Sequence, residues 1–340
     1  MAKFSIIGCG LIGKKRSLAI EALGHQVSGL YDIHSESAQS LKQILKSDVT
    51  VADSAERAIQ TSDYVVVATA NNALAENAST AMRLGRHVLI EKPCGRNPEE
   101  LMALLELQQQ VGTDLKIRAG FNHRFHPAIR KAIEIARSGQ IGPIMFMRAR
   151  YGHGARVGYD REWRAKKEVA GGGEWLDQGS HLIDLSRCFA GDFEHAIAYS
   201  DNFFWDMEVD DNTFAILKTS SGIVSHLHAS CTEWKNMFSL EVYGKIGKLD
   251  LNGLGGSYGP ETLTHYKMKP EMGPPDREVF EFSGADESWQ LEIDHWLEGS
   301  SEGANLDDAL KCCESVFQCY EWSRKNNPAK YDVRAQVQYR

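Results

Sequence analysis

The sequence predicts an α/β protein in which an N-terminal Rossmann-type doubly wound parallel sheet is followed by an α+β domain with a large, mainly antiparallel open sheet. Three observations carry that expectation. From Lys3 to Phe121 short β-branched runs alternate with helical patterns, the rhythm of parallel strands joined by helices. Beyond Phe121 many strand-like runs follow one another across turns, which suits antiparallel pairing. A chain of 340 residues also exceeds one ordinary core, so two domains are expected, 1–121 and 122–340.

In order, Phe4 to Gly8, Val27 to Asp32, Tyr64 to Ala68, His87 to Glu91 and Lys116 to Phe121 read as strands of the first sheet. Asn97-Pro98-Glu99-Glu100 marks a helix start, with a capping side chain, a proline at the first helical position and an acid at the third; that helix should reach Gln110. After Phe121 come a helix, the loop Gly171-Gly172-Gly173, a second helix and the strand-rich region. Within Ser225 to Cys231, His226, His228 and Ser230 share one face and Leu227, Ala229 and Cys231 the other, which implies a sheet with one open face. A helix from Leu306 to Arg324 follows.

Composition excludes some functions. Lys plus Arg number 38 against 46 Asp plus Glu, a net charge of −8, which argues against nucleic acid or an anionic membrane as the main partner. Met1-Ala2-Lys3-Phe4 enters a strand pattern directly, and no stretch approaches the roughly 20 apolar residues of a membrane span; a cytoplasmic location is expected. The seven cysteines are odd in number, scattered and without a C-x-x-C pair, so neither a disulfide framework nor a zinc site is expected.

Gly8-Cys9-Gly10-Leu11-Ile12-Gly13 sits between the first strand and the first helix, the context in which such glycines bind a dinucleotide. Gly8 permits the tight turn, Gly10 the approach of a pyrophosphate, and Gly13 close packing of helix on strand. Asp32 ends the second strand nineteen positions after Gly13, where a carboxylate accepts hydrogen bonds from a ribose diol and repels a 2′-phosphate. Ile33 and His34 offer no compensating cation, so NAD is expected; Lys14, Lys15 and Arg16 keep NADP open.

His87-Val88-Leu89-Ile90-Glu91-Lys92-Pro93 brings an acid, a lysine and a proline to the carboxyl edge of the sheet, where ligands bind in such folds. Asp177-Gln178-Gly179-Ser180-His181 spaces an acid and a histidine at i, i+4, on one face of a helix start. Taken alone, these residues read more readily as a helix cap and a satisfied core histidine. A half metal site lacks a third marked ligand, and no metal is expected.

Together with Thr69-Ala70-Asn71, Gly120-Phe121-Asn122 and Trp163-Arg164, these motifs resemble, in order and spacing, the glucose-fructose oxidoreductase and inositol dehydrogenase (Gfo/Idh/MocA) family of sugar oxidoreductases. The resemblance spans nearly the whole chain. It implies Lys92, Asp177 and His181 as the catalytic group. Leu11, Ile12, Thr69, Asn71, Glu91, Lys92, Trp163 and Arg164 become cofactor contacts beside the fingerprint and Asp32. Lys92, Asn122, Arg124, Lys166, Asp177 and His181 become substrate contacts. It also implies a homodimer or homotetramer formed through the open sheet. Ala70 and Leu74 stand where the family usually has Pro and often His, so that loop departs from the pattern.

The implied reaction is hydride transfer between nicotinamide and a secondary hydroxyl or ketone of a sugar or activated sugar. His181 is then the base for the hydroxyl proton, since imidazole titrates near neutrality, and Lys92 stabilises the developing alkoxide; the reverse assignment stays open. The alternatives are a glycosidase of the same family that keeps its NAD bound and a non-catalytic dinucleotide-binding sensor. The cations Arg161, Arg164, Lys166 and Lys167 favour a sugar phosphate or nucleotide sugar as substrate.

Overall fold

The first unit is built on hydrophobic strands that run parallel because a helix returns the chain after each. In the computed structural model, which describes residues 1–112 and 114–327, these strands are β1 (Lys3–Ile7), β2 (Gln26–Tyr31), β3 (Thr50–Val51), β4 (Tyr64–Val67), β5 (His87–Glu91) and β6 (Ile117–Gly120). The helices between them are α1 (Leu11–Ala22), α2 (Ser35–Ile44), α3 (Ala55–Ile59), α4 (Asn71–Arg83) and α5 (Pro98–Val111). The strand order is β3-β2-β1-β4-β5-β6, all parallel, so the order reverses beside β1 and places the turn after it at the switch point where such sheets bind ligands. The five expected strands are present, and β3 is an added two-residue strand without a hydrophobic run to announce it. Asn97 caps α5 as its sequence predicts, its side chain accepting from Glu100 N at 2.9 Å.

The second unit contains α6 (Pro127–Arg137) and β7 (Ile144–Gly152); the short α7 (Lys167–Ala170) follows, and then α8 (Ser180–Ala190). Next come β8 (Phe193–Asp201), β9 (Asn212–Thr219), β10 (Val224–Ser230), β11 (Met237–Gly244), β12 (Gly247–Asn252), β13 (Glu261–Lys267) and β14 (Asp276–Phe282). Their sheet has the order β14-β13-β12-β11-β7-β10-β9-β8. Only the central β7–β10 pair is parallel. Helices α6 and α8 pack on one face of this sheet. Burial alternates along the strands: Ser225, Leu227 and Ala229 are buried while His226 is exposed and His228 half-buried, as the period of two requires, whereas Ser230 turns under the following loop and is buried.

The last helices are α9 (Ser288–Glu298) and α10 (Leu306–Asn326). Contacts group Met1–Phe125, Glu168–Gly171 and Glu287–Leu310 into the first unit and His126–Lys167, Gly172–Asp286 and the chain from Lys311 onward into the second. Thus α9 completes the first core: Ile293 and Trp296 join Phe4, Ile20, Leu30, Val66 and Leu89 in one buried cluster. The indole of Trp296 donates to Lys116 O at 2.9 Å. Residues 328–340, within the expected span 122–340, lie outside the described residues. Among the described residues no helix is long and apolar enough to cross a membrane.

Candidate active site

In the first unit, the turn after β1 needs its glycines. Gly8 adopts φ +94°, a region that strains other residues, and a Cβ there would lie 2.4 Å from Ala68 O. A Cβ on Gly13 would meet Gly8 O at 2.0 Å, so only glycine lets α1 approach the strand end this closely. Gly10 instead faces open space, Leu11 beside it is exposed, and the first turn of α1 carries no acid. Asp32 braces this turn, its Oδ2 accepting from Cys9 N at 2.7 Å and its Oδ1 from His34 N at 2.8 Å. The buried Cys9 thiol is pushed up to about 12 by desolvation and by Asp32, and stays protonated.

Other expected contacts in this unit have structural partners. Glu91 is buried against Arg16. Asn71 is buried and donates to Ala170 O at 2.8 Å, while the Thr69 hydroxyl donates to Ala70 O at 3.1 Å. Asn122 donates to Ser288 Oγ at 2.8 Å, and Arg124 lies 3.2 Å from Asp308. Lys92 is half-buried at the carboxyl end of β5, with a cis bond to Pro93. Lys14 and Lys15 are exposed, but Arg16, one of the three cations that keep NADP open, is fully buried in ion pairs and is withheld from a 2′-phosphate.

In the second unit, Asp177 and His181 are not on a regular helix start. Residues Trp175–Gly179 form a π-turn that leads into α8, the wide turn that often marks functional sites. Two features fix it. A Cβ on Gly179 would stand 2.2 Å from the Trp175 ring, so the glycine of the D-x-G-x-H motif makes room for that indole. The buried Asp210 caps the turn: Oδ1 accepts from Gly173 N at 3.0 Å and the Tyr320 hydroxyl at 2.6 Å, and Oδ2 from Trp175 N at 2.8 Å and Thr213 Oγ1 at 3.1 Å. Burial pulls the Asp210 pKa up, and these donors work against it.

On this turn the Asp177 side chain remains about a quarter exposed (26%), 3.6 Å from Arg164 Nε, whereas His181 is buried with its ring edge-on to Tyr151 at 6.0 Å. Arg164 also lies 3.9 Å from Glu162 and stacks over Trp163 at 4.4 Å. Lys166 is exposed on the next turn.

Sequence reasoning missed His153 and Glu174. They pair at 3.3 Å, with Glu174 wholly buried. Burial opposes the His153 imidazolium, but Glu174 and Asp177 outweigh it and raise its pKa; Glu174 is itself raised by burial. Tyr159 packs edge-on against His153 at 5.6 Å. The signals available were weak: His153 stands between two glycines at a strand end, and Glu174 abuts the glycine run.

Residues 2–117 match the family described as "Oxidoreductase family, NAD-binding Rossmann fold", and residues 129–250 match the "GFO/IDH/MocA C-terminal domain". The chain belongs to the GFO/IDH/MocA oxidoreductase family. It is similar to levoglucosan dehydrogenase of Pseudarthrobacter phenanthrenivorans, 25% identical over 73% of this chain and 72% of that protein. It is also similar to inositol 2-dehydrogenase of Rhizobium meliloti, 23% identical over 89% and 90%. Among solved structures, a levoglucosan dehydrogenase in complex with NADH superposes with a TM-score of 0.85 at 21% identity, covering 95% of this chain and 97% of that one.

As a GFO/IDH/MocA member the chain is an NAD-binding oxidoreductase, and the first unit fits the cofactor. The open space at Gly10, the acid-free N-terminus of α1 and the exposed Leu11 are what a pyrophosphate needs from a backbone cradle.

Proposed function

We propose that the chain is an NAD-dependent dehydrogenase of a neutral cyclic sugar or polyol, with Lys92, Asp177 and His181 as its catalytic residues. When bound, NAD supplies the acceptor for hydride from the alcohol carbon. The chain's own part is to hold the hydroxyl and move its proton. His181 takes that proton from the alcohol oxygen, Lys92 donates a hydrogen bond to the same oxygen and stabilises negative charge on it, and Asp177 holds the substrate hydroxyl in place. In reduction His181 returns the proton to the alkoxide oxygen as hydride comes back to the carbon.

The observation that carries this reading is Asp177, a partly exposed carboxylate on a π-turn with Arg164 beside it and His181 further along. The same geometry favours a neutral substrate over the phosphorylated or nucleotide sugar that the cations in 161–167 suggest. Arg164 is matched to Asp177 and Glu162, while Arg161, Lys166 and Lys167 are exposed rather than gathered. The relatives named for levoglucosan and inositol support that choice. Seven thiols, most of them buried, suit a reducing cytoplasm.

A homodimer or homotetramer through the open sheet face goes with this reading, since Ile197, Tyr199, Phe214 and Ile216 lie exposed on the paired strands β8 and β9. Light scattering that returns a monomer mass would remove that part. The chemistry is tested by turnover and NAD affinity in Lys92→Met and His181→Asn. Each should lower turnover by about 10²-fold or more with NAD affinity little changed, on unphosphorylated cyclic polyols. Full activity in either variant removes that residue from the mechanism, and activity confined to sugar phosphates or nucleotide sugars overturns the substrate class.

A further inference from the structure

Directly behind Lys92, in the first unit, lies a buried cluster of one cation and two acids that the fingerprint, the cofactor and the reaction leave without a role. Arg16, on the second turn of α1, is fully buried. Its Nε donates to Glu91 Oε1 at 2.7 Å; one terminal nitrogen stands 2.6 Å from that carboxylate, and the other 2.5 Å from Glu292 on α9. The guanidinium also sits over the Trp289 ring at 4.6 Å. Room for the pair comes from Gly120, opposite Glu91 in the β5–β6 register. A Cβ there would be 3.0 Å from Arg16 and 3.1 Å from the Glu91 carboxyl group.

Buried ion clusters are poor stabilisers, because desolvation offsets most of their attraction and apolar residues of similar volume do as well. Position is therefore the informative property. Glu91 is the last residue of β5 and is covalently joined to Lys92, and the turn closes through Cys94 N donating to Glu91 O at 2.9 Å. Arg16 is carried by the helix whose N-terminus forms the dinucleotide turn. The fork of a guanidinium holds a carboxylate in orientation as well as in place.

We infer that Arg16 and Glu292 are positioning residues for Lys92: through Glu91 they fix the β5 end, and with it the Lys92 backbone, to the helix that opens the dinucleotide site. Burial pulls Glu292 up to about 7 and Glu91 adds to this, while Arg16 and, from the turn after β6, Arg124 pull it down. A proton on Glu292 near neutrality leaves the one guanidinium to balance the Glu91 carboxylate.

The inference rests on the assignment of Lys92 as a catalytic residue, so the test separates the two. Arg16→Lys keeps the charge but loses the fork; Glu292→Gln keeps size and leaves the Arg16–Glu91 pair, and so serves if Arg16→Lys does not fold. Each is made alone and in the Lys92→Met background, with a cooperative thermal transition as the check on folding. Displacements of about 1 Å can lower rates by about 10²-fold. In the parent background, kcat should therefore fall by about 10-fold while KM for the sugar and Kd for NAD move less than about 3-fold. In the Lys92→Met background neither change should lower the residual rate further, since groups acting through one another are non-additive.

Unchanged kcat in both single variants, or an equal further loss in the Lys92→Met background, overturns the inference while Lys92 keeps its role. Full turnover in Lys92→Met overturns the role of Lys92 and this inference with it.

Discussion

Asp210→Asn tests whether the cap on the π-turn holds the Asp177 carboxylate, proposed as a catalytic group, in place. The substitution keeps size and shape but replaces one acceptor oxygen with a donor and removes the charge. The amide fits best with its NH2 at the Oδ1 position, because the Tyr320 hydroxyl there can turn to accept from it. Gly173 N then keeps Tyr320 OH, to which it already donates at 3.2 Å, while Trp175 N and Thr213 Oγ1 retain a neutral acceptor in place of a charged one. Hydrogen bonds to charged groups contribute about 1.5–3 kcal/mol and neutral ones about 0.5–1.5. One bond lost and three weakened, less the relief of no longer burying a charge, comes to about 2 kcal/mol. At about 2–4 °C per kcal/mol for large domains, Tm should fall by about 4–8 °C. Because Asp177 N donates to Gly173 O at 3.0 Å within the same turn, turnover should drop by about 10-fold as the carboxylate moves. Calorimetry and steady-state kinetics give both numbers. A Tm within about 1 °C of wild type together with intact turnover would refute the capping argument.

Two further outcomes follow from the cofactor turn and the open sheet. NAD should bind at least several-fold more tightly than NADP, and Asp32→Ala should narrow that gap while loosening the turn that Asp32 braces through Cys9 N and His34 N; titration calorimetry with both dinucleotides decides it, and an NADP preference in the wild type would point to Lys14 or Lys15. His228 is stacked on Phe214 at 4.0 Å, and burial, with Arg150 and His226 nearby, lowers its pKa from 6.5 to about 4. A depressed pKa in the fold means the stability is fully present above about pH 6.5 and is lost as pH falls toward about 4, at about 1.4 kcal/mol per unit. The loss is up to about 3 kcal/mol, and acid melts of His228→Gln should be flatter over that window; unchanged slopes would show that the ring titrates normally.

Local chemistry was legible in the sequence, and long-range pairing was not. The glycine turn, the Asn97 cap and the alternation in β10 follow from residues within a few positions of each other, and the structure contains all three. Arg16 shows the limit. Read beside Lys14 and Lys15 it is one more cation at a helix start, yet its partner Glu292 arrives on α9, a helix that nothing local marks as belonging to the first core. The π-turn was hidden for the same reason. The i, i+4 spacing of Asp177 and His181 reads as an ordinary helix, and the wide turn depends on Asp210, more than thirty residues later in the same unit.

That wide turn bears on how the proposal divides the roles of Asp177 and His181. On a regular helix start Asp177 and His181 would share a face and similar surroundings, and either would serve as base. Here their surroundings differ: Asp177 keeps contact with solvent and with Arg164, while His181 is buried beside the Tyr151 ring. A carboxylate beside a guanidinium is well suited to orienting hydroxyl groups. An imidazole can accept a proton at one ring nitrogen while the other donates. The division of roles proposed for the pair thus follows from the turn that separates their environments, and the turn in turn follows from one buried aspartate and one missing Cβ.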